Sequence, residues 1–258
     1  MDLDRAWAQA YRRRLYWLRY LLERLGRKQT LLVWQEAFAR PDPGLLEPFL
    51  ASGWKRHTNA AAPPSEETLL GEGFPTSLEG VTRGRARELL ANDPTLALPR
   101  AHHTELRVRK QATAYIAIHI GHDGLARLTE ALSRRLGKEG ELVAYDVMRA
   151  YRRETASKRP MTVEQLLSQW GATDGPQDVF WAGLETEVIR RSEREVLAHV
   201  KACEWARYYH EHHSTVGYLV SCSTDDAELV TCNAGMRMQR TSTLMEGGPV
   251  CDFRVYVL

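Results

Sequence analysis

The feature that most restricts how this chain can fold is a change in apolar period part-way along it. From Leu3 to about Gly26, the residues Trp7, Tyr11, Leu15, Leu18, Leu22 and Leu25 recur at steps of three and four, the stripe of an amphipathic helix. After Gly175 the period shortens to two. In "REVLAHVKAC", Val196, Ala198, Val200 and Ala202 fall on one side and Leu197, His199 and Lys201 on the other. At the end of the chain Cys251, Phe253, Val255 and Val257 share one face, with Asp252, Arg254 and Tyr256 opposite. Helices first and alternating strands later place the chain in the α+β class, a helical N-terminal region packed on a C-terminal antiparallel sheet with helices. The division is a mainly helical region over 1–175 and an α+β, cysteine-containing region over 176–258, as two parts or one continuous domain.

Punctuation fills in the elements. A second helix is expected from Gln29 to Ala39, stopped by Pro41, and a short one from Leu45 to Ala51. "TNAAAPPSEETLLGEGFPTSLEG" reads as loop, and helix resumes over Thr82 to Ala91. Three longer helices are expected near Glu105–His119, Leu125–Leu136 and Glu139–Glu154. Thr162 and Gln165 have the spacing of a capping box ahead of "VEQLLSQW". Further on, "CEWARYYHEHH" reads as helix, "VGYLVSC" as a short buried strand, and "GMRMQRTSTLM" as a strand that pairs with the last one across the turn "EGGP". On the first helix, Arg12, Arg13 and Arg19 are expected largely on the face away from the stripe.

Composition excludes some functions. A net charge of +2 gives no electrostatic case for nucleic acid. No apolar run approaches the roughly 20 residues of a membrane span. The charged start "MDLDRAWAQAYRRRLYWLRY" lacks the apolar core of a signal peptide, so a cytoplasmic setting with reduced thiols is expected. Gly-x-Ser-x-Gly, a phosphate-binding glycine loop and His-Glu-x-x-His are absent, so no nucleotide cofactor is indicated.

Four side-chain groups remain as carriers of chemistry. Cys203, Cys222, Cys232 and Cys251 are spaced by 19, 10 and 19 residues, without the close pairing of a zinc knuckle. Each competes with the plain reading of a small buried residue. Cys251 stands out because Asp252 and Arg254 flank it beside a glycine turn, and a nearby guanidinium favours the thiolate nucleophile. In "HEHH", His210 and His213 can share a helix face and hold a metal, against the simpler reading of an exposed helix end. "HIGHDG" reads as a turn between helices, with His119, His122 and Asp123 as a weaker ligand set. In "CSTDD", Asp225 is placed to act as a general base toward water, or with Ser223 and Thr224 to cap a helix over Asp226–Val230.

The C-terminal segment resembles the L-2-amino-thiazoline-4-carboxylic acid hydrolase family. The resemblance rests on Cys203, on Cys222 with Asp225, on Asn233, on Thr243, Leu244 and Gly247, and on Cys251, Asp252, Phe253 and Arg254 in that order. It covers about the last 60 residues; Cys232 stands outside the pattern and the turn reads Glu246-Gly247-Gly248-Pro249. The tail is also similar to the ligand-binding domain related to 4-vinyl reductases, whose cysteines can hold zinc, although Thr243 stands where that domain can carry a cysteine.

The first resemblance implies hydrolysis of a carbon–nitrogen bond in a small cyclic amidine. It implies Cys222, Asp225 and Cys251 as the catalytic set, with Cys203, Asn233, Thr243 and Arg254 binding substrate, Arg254 through its carboxylate. The implied partner is a small molecule, with no nucleic acid and no membrane. No cofactor is certain, and a divalent metal joining the cysteines is the alternative arrangement. A non-hydrolytic tailoring enzyme (ring opening, ring closing or elimination) and a non-catalytic small-molecule or zinc-binding module are the competing functions.

Overall fold

The computed structural model describes residues 3–39, 55–56, 106–107, 110–156, 162–163, 165–166, 183–233 and 235–258. The expected helices over Leu45–Ala51 and Thr82–Ala91, and the glycine- and proline-rich loop before the latter, lie outside the described residues. The chain divides into two compact units, Met1–Val147 and Met148–Leu258. Among the described residues no helix is long and apolar enough to cross a membrane.

The first unit is helical. Helix α1 (Leu3–Ala37) is two arms joined at Gly26, whose φ of 73° leaves helical geometry; this matches the two helices expected from the sequence. A two-residue ladder pairs β1 (Lys55–Arg56) with β2 (Leu106–Arg107). Helix α2 (Lys110–Leu136) packs against α1. Tyr11, Leu15 and Leu18 of the predicted stripe are buried, but so are Tyr16, Trp17 and Leu21 on neighbouring positions. Because α1 is enclosed on more than one side, the face away from the stripe, where the arginines are expected, is itself largely covered. Arg19 is buried, Arg14 is wholly so, and Arg12 and Arg13 are half-buried. Arg14 donates through Nη2 to the Ile120 carbonyl at 3.3 Å and lies against the bare backbone of Gly124, where a Cβ would meet its guanidinium.

The same contact explains a second correction. "HIGHDG" is not a turn: α2 runs through it unbroken, and Leu106–Arg107, expected as helix, is strand. Gly124 is there because Arg14 needs its space. Asp123 supports the helix by bonding Arg127 one turn on at 2.9 Å, in place of capping a new one. Helix α2 ends where Gly137, at φ 58°, takes the left-handed conformation and donates to the Ser133 carbonyl at 2.8 Å. Helix α3 (Lys138–Thr155) follows and extends into the second unit.

The second unit is built on a four-stranded antiparallel sheet in the order β3 (Leu184–Arg191), β4 (Glu195–Cys203), β6 (Cys251–Val257), β5 (Met236–Gln239). Thr162 and Gln165 form the predicted capping box, each backbone N–H donating to the other's side chain at 2.9 and 3.2 Å. Val196, Ala198 and Val255 of the sheet close a core with Leu166, Leu229 and Met236. The alternation of β4 holds to Val200 and then fails, leaving Ala202 exposed. A bulge is the cause: Glu185 pairs with Ala202 and Thr186 with Val200, so Lys201 is the extra residue.

Between the strands lie α4 (Glu204–His212), α5 (Gly217–Val220), a 3-10 turn over Cys222–Thr224, and α6 (Asp225–Cys232). "VGYLVSC" is therefore helical, contrary to the expected strand. Its buried residues are Val216, Gly217, Val220 and Ser221, and Thr224 follows one turn on, a three-four spacing that a short apolar run conceals. Thr224 is the N-cap residue of α6 but makes no side-chain capping bond. Strands β5 and β6 pair as predicted, with Met236 opposite Val257 and Gln239 opposite Arg254. Their connection is no tight turn: it holds a 3-10 turn over Leu244–Glu246 that Gly247 ends at φ 82°.

Candidate functional site

Strands β4 and β5 finish, and β6 starts, at the same end of the sheet, since Val200 pairs with Cys251 and Gln239 with Arg254. That end collects the polar chemistry of the unit. Cys203 closes β4 and precedes α4; Cys222 opens the 3-10 turn; Asp225 begins α6; Cys251 begins β6. The four groups lie within electrostatic reach of one another. Cys203 feels Cys251 and Asp225, and Cys222 feels Asp225, Cys203 and Cys251.

Asp225 is held by two arginines. Arg240, just past β5, donates from Nη1 to Oδ2 at 2.9 Å, and Arg152 of α3 reaches Oδ1 at 3.5 Å. Arg152 also donates to Glu228 at 2.7 Å, and Arg149 one turn earlier pairs with Asp226 at 3.3 Å. The end of α3 is thereby tied to the acidic first turn of α6, where carboxylates also favour the helix dipole. Arg240 donates its other Nη to the Cys222 carbonyl at 2.8 Å, and its guanidinium lies 5.0 Å from the centre of the Phe253 ring and 5.9 Å from that of Tyr218.

Burial governs the titration of the cluster. It pushes the Cys203 thiol up to about 12, against the lowering effect of the Ala206 and Trp205 amides at the start of α4. It raises Cys222 well above the ordinary thiol value, with the Asp225 charge adding to the effect. Cys251 is also raised by burial, opposed by the Leu244 N–H, which donates to Sγ at 3.2 Å, and by the Arg240 charge, while Asp225 and Asp252 add to the rise. Asp225 is raised by burial in spite of Arg152 and Arg240, so its carboxylate holds a proton more readily than an ordinary one.

The β5–β6 connection explains most of the motif that carries the family resemblance. Asp252 accepts from the Thr241 amide at 2.9 Å, the Thr241 hydroxyl at 2.5 Å and the Ser242 amide at 2.6 Å. Thr243 caps the 3-10 turn, its Oγ1 accepting from the Glu246 N–H at 3.1 Å and donating to the Glu246 carboxylate at 2.8 Å. These bonds aim the Leu244 amide at Cys251. On the far side, His210 meets the Leu244 carbonyl at 3.0 Å; since a carbonyl only accepts, Nε2 carries the proton.

Of the residues predicted for the site, the structure gathers Cys203, Cys222, Asp225 and Cys251. Thr243 stands beside them as the support of Leu244. Asn233 ends α6, donating its N–H to the Leu229 carbonyl at 2.9 Å and turning the chain toward β5. Arg254 is not brought to the thiols. Three residues on from Cys251, it points from the opposite face of β6, bonds Glu195 at 2.6 Å and Gln239 at 3.2 Å, and covers the Tyr256 ring. Arg240 was missed by sequence reading: nothing local distinguishes it, and only the pairing that sets it beside Phe253 reveals its place.

Among the described residues no three His, Cys, Asp or Glu side chains are grouped as a metal-ligand set. A divalent ion joining the cysteines through Asp225 does not fit this cluster, because the Asp225 carboxylate is already paired with the guanidinium groups of Arg240 and Arg152.

Enclosed thiols around an arginine-held carboxylate, at one end of a four-stranded antiparallel sheet, define the class: an α+β protein with the groups needed for nucleophilic and acid–base chemistry. A family model, L-2-amino-thiazoline-4-carboxylic acid hydrolase, matches residues 117–255, more than half of the chain. The chain belongs to that family, whose name is that of a hydrolase. No curated protein and no solved structure matches the chain.

Proposed function

We propose that this protein is a hydrolase that opens a small cyclic amidine, with Cys251 as nucleophile and Asp225 as base. The observation that carries the reading is the convergence of Cys203, Cys222 and Cys251 on one carboxylate. At Cys251 the Leu244 amide donated to Sγ and the Arg240 charge work toward the thiolate, against burial and the charges of Asp225 and Asp252. Asp225, whose proton affinity burial raises above that of an ordinary carboxylate, is the group that carries the proton.

With the amidine bound as its amidinium, sulfur adds to the central carbon as Asp225 takes the thiol proton, and the carbon–nitrogen π pair becomes a lone pair on the nitrogen that already carries its proton. Collapse of the tetrahedral carbon breaks its bond to a ring heteroatom, which leaves with the proton from Asp225. Water, losing a proton to Asp225, then attacks the same carbon, and cleavage of the carbon–sulfur bond returns the Cys251 thiol. The net change is one water added and one ring opened. Cys203 and Cys222 line the site. The chemistry requires reduced thiols, which a cytoplasmic setting supplies.

The test is incubation of L-2-amino-thiazoline-4-carboxylate with wild type, Cys251→Ala and Asp225→Asn, read by mass spectrometry and thiol titration. Water-added product from wild type alone supports the reading. Release of a thiol places the break at ring sulfur, whereas a product without one places it at ring nitrogen. A rearranged product without added water would indicate a tailoring enzyme. Binding without turnover, unchanged in both variants, would indicate a binding module.

A further inference from the structure

The proposed reaction gives tasks to Cys251 and Asp225 and leaves an enclosed charge beside them. We propose that Arg240 is a positioning residue of this site: bonded to both Asp225 and the Cys222 carbonyl, it fixes the carboxylate beside the thiols and does not receive a carboxylate of the substrate. This rests on the hydrolase reading of the same cluster. Only 7% of the Arg240 side chain is exposed, against 27% of Asp225. Its two Nη groups are committed in different directions, to Asp225 Oδ2 at 2.9 Å and to the Cys222 carbonyl at 2.8 Å. Its faces lie toward the rings of Phe253 and Tyr218, and the Tyr218 hydroxyl bonds it as well. A substrate carboxylate would have to break these contacts to be bound.

The fork of a guanidinium can hold two acceptors at a fixed angle, which the single point of an ammonium cannot. Arg240 is also the tighter of the two cations on Asp225, since Arg152 stands 3.5 Å away and gives its shorter bond, 2.7 Å, to Glu228. The other groups that act on Asp225 are Glu228 on its own helix, Cys222 before it, Cys203 at the end of β4 and Cys251 on β6. Arg240 therefore shares with Arg152 the charge that opposes burial at Asp225 and, through its shorter bond, fixes the carboxylate's direction, and it ties the 3-10 turn of Cys222 to the end of β5.

The experiment titrates the Asp225 carboxyl by carbon-13 NMR in the full chain labelled at aspartate, with the signal assigned by its absence from Asp225→Asn. Wild type, Arg240→Gln and Arg240→Lys are compared, alongside kcat and KM for L-2-amino-thiazoline-4-carboxylate. Loss of the charge in Arg240→Gln should raise the Asp225 midpoint by about one to three pH units, with Arg240→Lys in between. The positioning role predicts a kcat lower by about 10- to 100-fold with KM little changed. An unmoved midpoint in a folded Arg240→Gln, or a raised KM at unchanged kcat, would overturn the proposal. If the Gln variant does not fold, Arg240→Lys decides on the same two readings. Absence of turnover in wild type would sink the hydrolase reading alone, because the titration still tests what holds Asp225.

Discussion

Asp252 is adjacent to the proposed nucleophile, yet the structure gives it an architectural task that a single substitution exposes. Its carboxylate collects the Thr241 hydroxyl and the amides of Thr241 and Ser242, and so pins the connection that carries Leu244 to Cys251. Burial pushes its pKa up, but the Thr241 hydroxyl bond and the Ser242 and Thr241 amide bonds outweigh it and hold the group below the ordinary carboxylate value. A hydrogen bond to a charged partner contributes about 1.5–3 kcal/mol where it is shielded from water. Thr241 is exposed, so water replaces much of what its two groups lose, while the Ser242 amide is more enclosed. Counting the Ser242 bond in full and the Thr241 pair at a fraction, Asp252→Ala should cost about 2–4 kcal/mol. Because the folded pKa is depressed, this stabilisation is complete above the ordinary aspartate value, about 3.9, and is lost as pH falls through the folded value. Urea unfolding of wild type and Asp252→Ala, from neutral pH downward, measures both points. The two curves should stand apart at neutrality and converge in acid. A variant within about 0.5 kcal/mol of wild type at neutral pH, or a gap that persists in acid, would refute this account of the loop.

Three further outcomes follow from the packing and the thiols. Gly217→Ala places a Cβ 2.5 Å from the Met245 sulfur and 2.7 Å from Tyr209 Cβ, and should cost about 1–3 kcal/mol, measured by urea unfolding of the second unit's signal. Gly124→Ala should displace the buried Arg14 guanidinium and its bond to Ile120, raising the protease sensitivity of the first unit while leaving the titration of Asp225 unchanged. Above about pH 9 stability should fall: the unfolded chain ionises Cys203 in the ordinary thiol range, whereas the folded chain keeps that proton until about 12. Urea midpoints that rise with pH over that window would contradict the sign.

What the sequence disclosed depended on how local the controlling interaction is. The two-residue period of Val196, Ala198 and Val200, and of Cys251, Phe253 and Val255, survives in the sheet because each strand is read by its immediate partner. It fails at Lys201, where a bulge set by β3 shifts the faces. "HIGHDG" misled for a related reason: its glycine serves an arginine more than a hundred residues earlier in the chain, which no window around it contains. The same distinction sorts the residues of the family pattern. Asp252 pins the connection, Thr243 caps its turn, Gly247 supplies the left-handed residue that ends it, and Phe253 underlies Arg240. Each is recognisable in sequence because its partner is near in sequence or across one strand pair. Arg240 has its partners in Asp225 and Cys222, brought to it by the fold alone. A pattern-based reading therefore locates the loop that builds the site more readily than the charge that tunes it, and it selected Arg254, which has the right chemistry on the wrong face of β6.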